Sequence, residues 1–216
     1  MPAPTDHGRT PLHWAARGAP IHQVNELIAE GADVNQQDDY GTTPLMWAAQ
    51  TDQVPTIRAL IDAGALLNQA DQDGQTPLMY ARKLPAAQAL LDAGALVDAQ
   101  DREGRTALMH AAMHSPVDVV ELLISRGAEI EARSQFGDTP LLWAAEMDRA
   151  DAIEVLRRHA ARIDHQNEYG DTALHLASRH GHWTAIEYLL ESGADTSLVN
   201  RAGLRADQEI EQEQER

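Results

Sequence analysis

The sequence predicts an all-α protein built from repeated pairs of short helices, and two series of regularly spaced residues support this prediction. A similar short sequence segment that begins with threonine occurs six times, at intervals of 33, 33, 30, 33 and 33 residues. A glycine stands two residues before each threonine, and a second glycine series follows almost the same spacing. Such self-similarity is typical of proteins that stack one supersecondary unit on the next. The six threonines are Thr10, Thr43, Thr76, Thr106, Thr139 and Thr172.

The first helix of each repeat begins at this threonine. Threonine before proline or alanine is typical of a helix start, because its hydroxyl can accept a backbone N–H and proline fits the first helical position. In the first repeat, Leu12, Ala15 and Ala16 lie at positions i, i+3 and i+4. One face of the helix is therefore apolar and mostly small, which lets neighbouring helices approach closely.

The second helix is more aliphatic, as in VVELLISRG at residues 119–127, and a glycine in the left-handed conformation is expected to end it. Ala160 stands where other repeats have this glycine, so we expect a strained residue there, at a cost on the order of 1 kcal/mol. The third repeat is three residues shorter between its helices, which predicts a tightened connection. A lone helix pair cannot bury both faces, so the units are expected to stack into a solenoid.

These repeated sequence segments resemble the ankyrin repeat. GRTPLHWAA, NELIAEGADVN and GDTALHLASRHGHWTAIEYLLESGADTSLVN carry the signature residues of that family in order. The resemblance implies an all-α ankyrin-repeat solenoid of six helix-pair units with hairpin-like fingers, whose fingers and first helices form a concave groove. It covers residues 5–199, and residues 200–216 are expected to form a partial capping repeat and an acidic tail. The expected units are residues 5–37, 38–70, 71–100, 101–133, 134–166 and 167–199.

Composition narrows the classes of function. The formal net charge is -17, from 34 acidic and 17 basic residues, which disfavours binding to nucleic-acid phosphates. The chain has no cysteine, which excludes a disulfide framework and a cysteine nucleophile. We expect neither a signal peptide nor a membrane span, because the N-terminus lacks a basic start and no long apolar run occurs. A cytoplasmic protein is therefore expected, and Lys83 as the only lysine in an alanine-rich chain favours a bacterial source.

Catalytic and metal-binding patterns are weak. The chain has no Gly-x-Ser-x-Gly elbow and no glycine-rich phosphate loop, and its carboxylates are spread over a solvated surface. His110 and His114 have the i, i+4 spacing of a zinc pair, but the repeat register supplies no third ligand. The resemblance assigns His13 and His175 to hydrogen bonds between repeats. We therefore expect no enzyme activity, no metal and no cofactor.

Seven of the nine aromatic residues occupy two fixed places in the repeat. The first place is four residues after the threonine, on a mixed polar helix face that we expect to point towards the groove. Rigid rings there would suit protein binding, but in this family they also pack between repeats, so both interpretations stay open for Trp47, Tyr80 and Trp143. The first place holds Trp14, Trp47, Tyr80, His110, Trp143 and Leu176.

The second place is the finger tip, directly before the finger glycine. Tyr40, Phe136 and Tyr169 lie there, where little can pack against them, so binding is favoured over packing. The finger segments also carry ten acidic residues against three arginines. Aspartates that open a finger, such as Asp38, are expected to form turns. Asp138, which directly follows a finger glycine, is expected to face the groove, and we expect the same of Asp171 and Glu146.

The expected function is non-catalytic recognition of another protein through the groove and fingers, as an adaptor, inhibitor or regulatory subunit. We expect a monomer that binds a basic or amphipathic segment of its partner. The alternative is an acidic charge mimic that blocks a nucleic-acid-binding protein. The candidate partner-binding residues are Tyr40, Trp47, Tyr80, His110, Phe136, Asp138, Trp143, Glu146, Tyr169 and Asp171.

Overall fold

The computed structural model describes residues 7–208. Asp6, one of the expected finger acids, and the end of the acidic tail lie outside the described residues. Within residues 7–208 there are twelve named α-helices and no strand, apart from an isolated bridge between Val199 and Arg205. The predicted all-α fold class is confirmed. The chain divides into two compact units, residues 1–102 and residues 103–216.

The first unit consists of helix pairs in which first helices pack on first helices and second helices pack on second helices. α1 contacts α3 and α3 contacts α5, while α2 contacts α4 and α4 contacts α6. This is the stacking that the repeat predicts. The helices are α1 Pro11–Ala16, α2 Ile21–Ala29, α3 Pro44–Gln50, α4 Val54–Asp62, α5 Pro77–Tyr80 and α6 Leu84–Asp92.

The second unit has the same construction. α7 contacts α9 and α9 contacts α11, while α8 contacts α10 and α10 contacts α12. The helices are α7 Ala107–His114, α8 Val117–Ser125, α9 Pro140–Glu146, α10 Ala150–Arg158, α11 Ala173–Arg179 and α12 Trp183–Glu191.

The core of each unit combines small residues on the first helices with branched aliphatic residues on the second. In α3, Ala48 and Ala49 are almost fully buried, and in α4 Ile57 and Leu60 are fully buried. Each such leucine or isoleucine contributes about 1.5–3 kcal/mol of transfer free energy relative to an exposed side chain. The alanines contribute less area but allow the neighbouring helix to approach.

The threonine helix starts are confirmed, although the hydroxyl contact varies. Thr43 and Thr172 accept the N–H of the third helical residue at 3.4 Å. The buried hydroxyls of Thr76 and Thr139 have no hydrogen-bond partner within the described residues. The helix start therefore does not depend on this bond alone, because proline or alanine at the next position also favours it.

The bridging histidines are confirmed as well. His13 and His175 are both buried. Nε2 of His13 lies 3.0 Å from the carbonyl oxygen of Thr42, and Nε2 of His175 lies 3.0 Å from that of Leu204. The other ring nitrogen of each histidine contacts the threonine of its own repeat. Each histidine thus ties its first helix to the finger of the next repeat.

One of two departures from the repeat has the expected consequence. Ala160 adopts a φ of 67°, in the left-handed region where other repeats place glycine. The expected tightened connection in the third repeat is wrong: residues 81–83 join α5 to α6, just as residues 51–53 join α3 to α4, and the difference lies in α5, which has four residues whereas α3 has seven. The three missing residues therefore shorten the first helix and leave the second at its usual nine residues.

The fingers are turns held by the side chain that opens them. Oδ1 of Asp38 accepts the N–H groups of Tyr40 and Thr42 at 3.0 and 2.9 Å, which confirms the turn role expected for this aspartate. Asp71, Asn167 and Asn200 repeat this pattern, and Ser134 uses its hydroxyl in the same way.

Neighbouring fingers within a unit are joined through the backbone. The N–H of Gln72 donates to the carbonyl oxygen of Tyr40 at 3.0 Å. In the second unit, the N–H of Glu168 donates to Phe136 and that of Arg201 to Tyr169, both at 2.9 Å. A Cβ on Gly41 would lie 2.8 Å from the backbone nitrogen of Gln72, so only glycine allows this approach. The fingers therefore present the residues at their tips on a fixed backbone.

Candidate functional site

The finger tips present exposed aromatic rings, as the sequence predicts. The exposed fractions are 50% for Tyr40, 40% for Phe136 and 55% for Tyr169. In the second unit the ring centroids of Phe136 and Tyr169 lie 6.1 Å apart, so the two rings form one apolar surface. Because the finger backbones are hydrogen-bonded to each other, these rings would lose little entropy on binding a partner.

The aromatic side chains on the first helices of the first unit differ in their exposure and in their contacts. Trp14 is 40% exposed, whereas Trp47 is half-buried, and their ring centroids lie 6.4 Å apart. Tyr80 is half-buried, and its hydroxyl donates to Oδ2 of Asp71 at 2.6 Å. Burial, and then this hydrogen bond, raise the pKa of Tyr80. Tyr80 therefore anchors its own finger, which favours the packing interpretation for this residue.

A residue that the sequence prediction missed joins these rings. Cζ of Arg9 lies 4.9 Å from the Trp47 ring centroid, 5.4 Å from that of Trp14 and 5.9 Å from that of Tyr40. Its Nε lies 3.4 Å from Oδ2 of Asp38. Arg9 directly follows a finger glycine, which is the register position that drew attention to Asp138 and Asp171. The repeat register was therefore a signal that could have found it.

In the second unit that register position is more enclosed than expected. Asp138 is 9% exposed and Asp171 is 3% exposed. Oδ1 of Asp138 accepts from the Asn167 amide at 2.7 Å, and Oδ1 of Asp171 accepts from the Asn200 amide at 2.9 Å. The carboxylates thus bind the residue that opens the next finger, a contact between residues 29 positions apart that a local pattern does not reveal. Their expected contact with a partner stays a prediction.

Asp171 borders a cavity. Oδ2 of Asp171 lies 2.8 Å from Nη2 of Arg179. These two side chains, with Tyr169 and Arg201, line a cavity of about 360 Å³ beside the last complete finger. Burial raises the pKa of Asp138, although its bonds to Asn167 and Ser134 oppose the shift.

The remaining candidates lie on the first helices of the second unit. Trp143 is half-buried, and its buried indole N–H has no hydrogen-bond partner within residues 7–208. Glu146, one turn further along α9, is also half-buried. Burial, and then the charge of Asp138, raise the pKa of Glu146. His110 is half-buried on α7.

The described residues form neither a metal-binding cluster nor a membrane-spanning helix. No group of three or more histidines, aspartates or glutamates is placed so that it could hold a metal ion. Among the described helices, none has the length and hydropathy required to span a bilayer.

Comparison with known proteins assigns the family. The model for ankyrin repeats (3 copies) matches residues 12–101, 65–134 and 128–200, so this chain belongs to the ankyrin repeat family. The structure is similar to the human ASB11 ankyrin repeat domain, with a TM-score of 0.83 and 28% identity over 92% of this chain and 90% of that chain. It is also similar to the ankyrin repeat domain of Bcl-3, described as a unique member of the IkappaB protein family. That match has a TM-score of 0.77 and 32% identity, and covers 93% of each chain.

Comparison with curated proteins gives no match. The family and the structural neighbours establish an ankyrin-repeat solenoid, and ankyrin repeats are protein–protein interaction modules.

Proposed function

We propose that this protein binds another protein through its finger tips and the adjoining faces of its first helices, as a non-catalytic adaptor, inhibitor or regulatory subunit. The observation that carries the proposal is the exposure of Tyr40, Phe136 and Tyr169 at the same place of three fingers. A ring that is rigidly held and half exposed offers contact area at little entropic cost. Trp47 extends the proposed contact surface of the first unit onto its first helices, and Trp143, His110 and Glu146 do the same in the second unit.

The charge of the fingers supports a basic or amphipathic partner segment. Asp39 and Asp73 are exposed on fingers of the first unit, and Glu168 is exposed beside Tyr169 in the second. Carboxylates beside aromatic rings complement a segment that alternates cationic and apolar side chains. In this proposal Tyr80, Asp138 and Asp171 mainly position the fingers. A monomeric state and a cytoplasmic location stay predictions of the sequence.

Two triple variants test the proposal. Tyr40→Ala, Phe136→Ala and Tyr169→Ala together remove the finger-tip rings. Leu66→Ala, Leu96→Ala and Leu190→Ala remove three other exposed apolar side chains, with exposed fractions of 57%, 60% and 45%, and form the matched control. The wild-type chain and both variants are used as baits in a lysate of the source organism, and each recovered protein is then titrated as a purified partner.

We expect the finger-tip variant to bind the purified partner at least tenfold more weakly, because aromatic residues at interface centres commonly contribute more than 1 kcal/mol each. The leucine variant should bind as the wild type does, and all three chains should unfold at similar denaturant concentrations. Equal affinity of the two variants would contradict the proposal. If affinity instead falls steeply with salt and the ring substitutions have no effect, the acidic charge mimic is the better description.

A further inference from the structure

The finger opened by Asp38 and the helices α1 and α3 each place an aromatic ring against one guanidinium group. Cζ of Arg9 lies within 6 Å of the ring centroids of Trp14, Tyr40 and Trp47. This is the distance at which a cation is attracted by the negative face of an aromatic ring. The side chain of Arg9 is only 19% exposed, so most of it lies within this enclosure.

The enclosure also contains an anion. Oδ2 of Asp38 lies 3.4 Å from Nε of Arg9, and the Asp38 side chain has no exposed surface. Oδ1 of the same carboxylate is occupied by two backbone N–H groups of the finger, so Asp38 is held in place independently of Arg9. Three rings and a fixed carboxylate form a site whose chemistry suits a planar cation.

The rings that form the walls remain accessible. Trp14 is 40% exposed and Tyr40 is 50% exposed, so a group from solution can reach both. A second guanidinium also lies near Trp47, because Cζ of Arg17 lies 5.3 Å from the Trp47 ring centroid. The Trp47 ring therefore has two guanidinium groups within 6 Å.

We propose that Trp14, Tyr40, Trp47 and Asp38 form a guanidinium-binding cage that receives an arginine side chain of a partner protein, and that Arg9 fills this cage when the partner is absent. The partner arginine replaces Arg9 on the rings, and Arg9 moves into solvent. The release of Arg9 costs little electrostatic energy, because the incoming guanidinium takes the place of Arg9 beside Asp38. That the arginine belongs to a partner protein rests on the proposed function, whereas the cage itself rests on the contacts of Arg9.

The choice of arginine over lysine follows from the shape of the site. A guanidinium is planar, stacks on ring faces and is weakly hydrated, whereas an ammonium is a compact and strongly hydrated charge. The group that the structure places between the rings is itself a guanidinium. The occupied enclosure thus shows the shape and charge that it accepts.

The test uses the full chain and a hexa-arginine peptide as the probe. Arg9→Lys keeps the net charge and replaces the planar group, and Arg9→Gln removes the internal cation. Arg58→Gln is the matched control, because it removes one exposed positive charge from the second helix α4 of the same unit. The readout is the indole N–H resonance of each of the four tryptophans in two-dimensional NMR, assigned by single Trp→Phe substitutions.

We expect hexa-arginine to shift the indole resonances of Trp14 and Trp47 at lower peptide concentrations than those of Trp143 and Trp183. The dissociation constant obtained from these shifts should be about two- to fivefold lower in Arg9→Lys than in the wild type, which is the range that one exposed cation–π contact provides. Arg9→Gln should bind at least as tightly as Arg9→Lys, and Arg58→Gln should not bind more tightly than the wild type. Hexa-lysine should bind this site more weakly than hexa-arginine.

Three results would overturn the inference. The first is an equal affinity of the wild type and Arg9→Lys, and the second is an equal effect of hexa-lysine and hexa-arginine. The third is a loss of folding stability in both Arg9 variants without any gain in affinity, which would make Arg9 a structural clamp of the first finger. Because the probe is a peptide, these results do not depend on the natural partner. Because Tyr40 is also a wall of the cage, the double variant Phe136→Ala with Tyr169→Ala, which leaves the cage intact, tests the proposed function separately.

Discussion

Ala160→Gly should stabilise the second unit, because Ala160 is held in a conformation that favours glycine. The residue follows α10 with a φ of 67° and is exposed to solvent. Its N–H donates to Arg157, and the next N–H, of Ala161, donates to Leu156. Gly127 after α8 makes the equivalent pair of bonds at a φ of 88°. The two helix ends therefore differ in the side chain and share the backbone geometry.

The expected change in the free energy of unfolding is the difference between two opposing effects. The left-handed conformation costs a residue with a Cβ about 1–2 kcal/mol. The substitution by glycine also lowers stability by about 0.4–1 kcal/mol, because glycine increases the conformational entropy of the unfolded chain. We therefore expect Ala160→Gly to raise the free energy of unfolding by about 0.5–1 kcal/mol, which corresponds to roughly 1–4 °C in Tm for a chain of this size.

The matched control is Gly127→Ala, which introduces the same strain in the same unit. A Cβ on Gly127 would meet no atom within 4 Å, so the substitution tests backbone strain without a steric clash. We expect it to lower stability by a similar or larger amount. Urea unfolding monitored by circular dichroism and by tryptophan fluorescence measures both variants, and the two signals check whether the repeats unfold together. A less stable Ala160→Gly, or a Gly127→Ala with no effect, would refute the reasoning.

Two further substitutions test buried polar groups. Tyr80→Phe removes the hydroxyl bound to Asp71 and should lower the free energy of unfolding by about 1–2 kcal/mol at neutral pH, measured by urea titration. Because burial raises the pKa of Tyr80 above its ordinary 10.0, ionisation of the unfolded state should weaken the wild type as pH rises through and above about 10, whereas Tyr80→Phe should lack this loss. Burial, and then Asp138, raise the pKa of Glu146 above 4.5, so the charged carboxylate weakens the folded state at neutral pH. Glu146→Gln should therefore be more stable than the wild type at pH 7, and this difference should shrink as pH falls towards 4.5. An equal difference at pH 7 and pH 4.5 would exclude the mechanism.

Local regularities made most of the fold predictable. Helix starts at Thr43 and Thr172 and the left-handed residue at Ala160 all depend on neighbours within one or two turns. The finger-tip rings were predictable for the same reason, because the residue before a finger glycine has little chain around it to pack against.

The details of the candidate site depend on residues far apart in the sequence. The hydroxyl of Tyr80 bonds the aspartate nine positions earlier, across the start of its own helix. Asp138 bonds Asn167 across 29 positions, and this contact buries a carboxylate that the repeat register alone left open to the groove. The register does not specify which side chain fills the space between two neighbouring repeats.

The sequence by itself determined the helix pairs, their order and the places where rings reach solvent, because those features follow from periods of a few residues and from a unit that is repeated. Only the tertiary structure decided that Arg9 lies among Trp14, Tyr40 and Trp47. That arrangement requires a finger and two helices from consecutive repeats to meet at distances of 5–6 Å, and the stacking of one repeat on the next sets those distances.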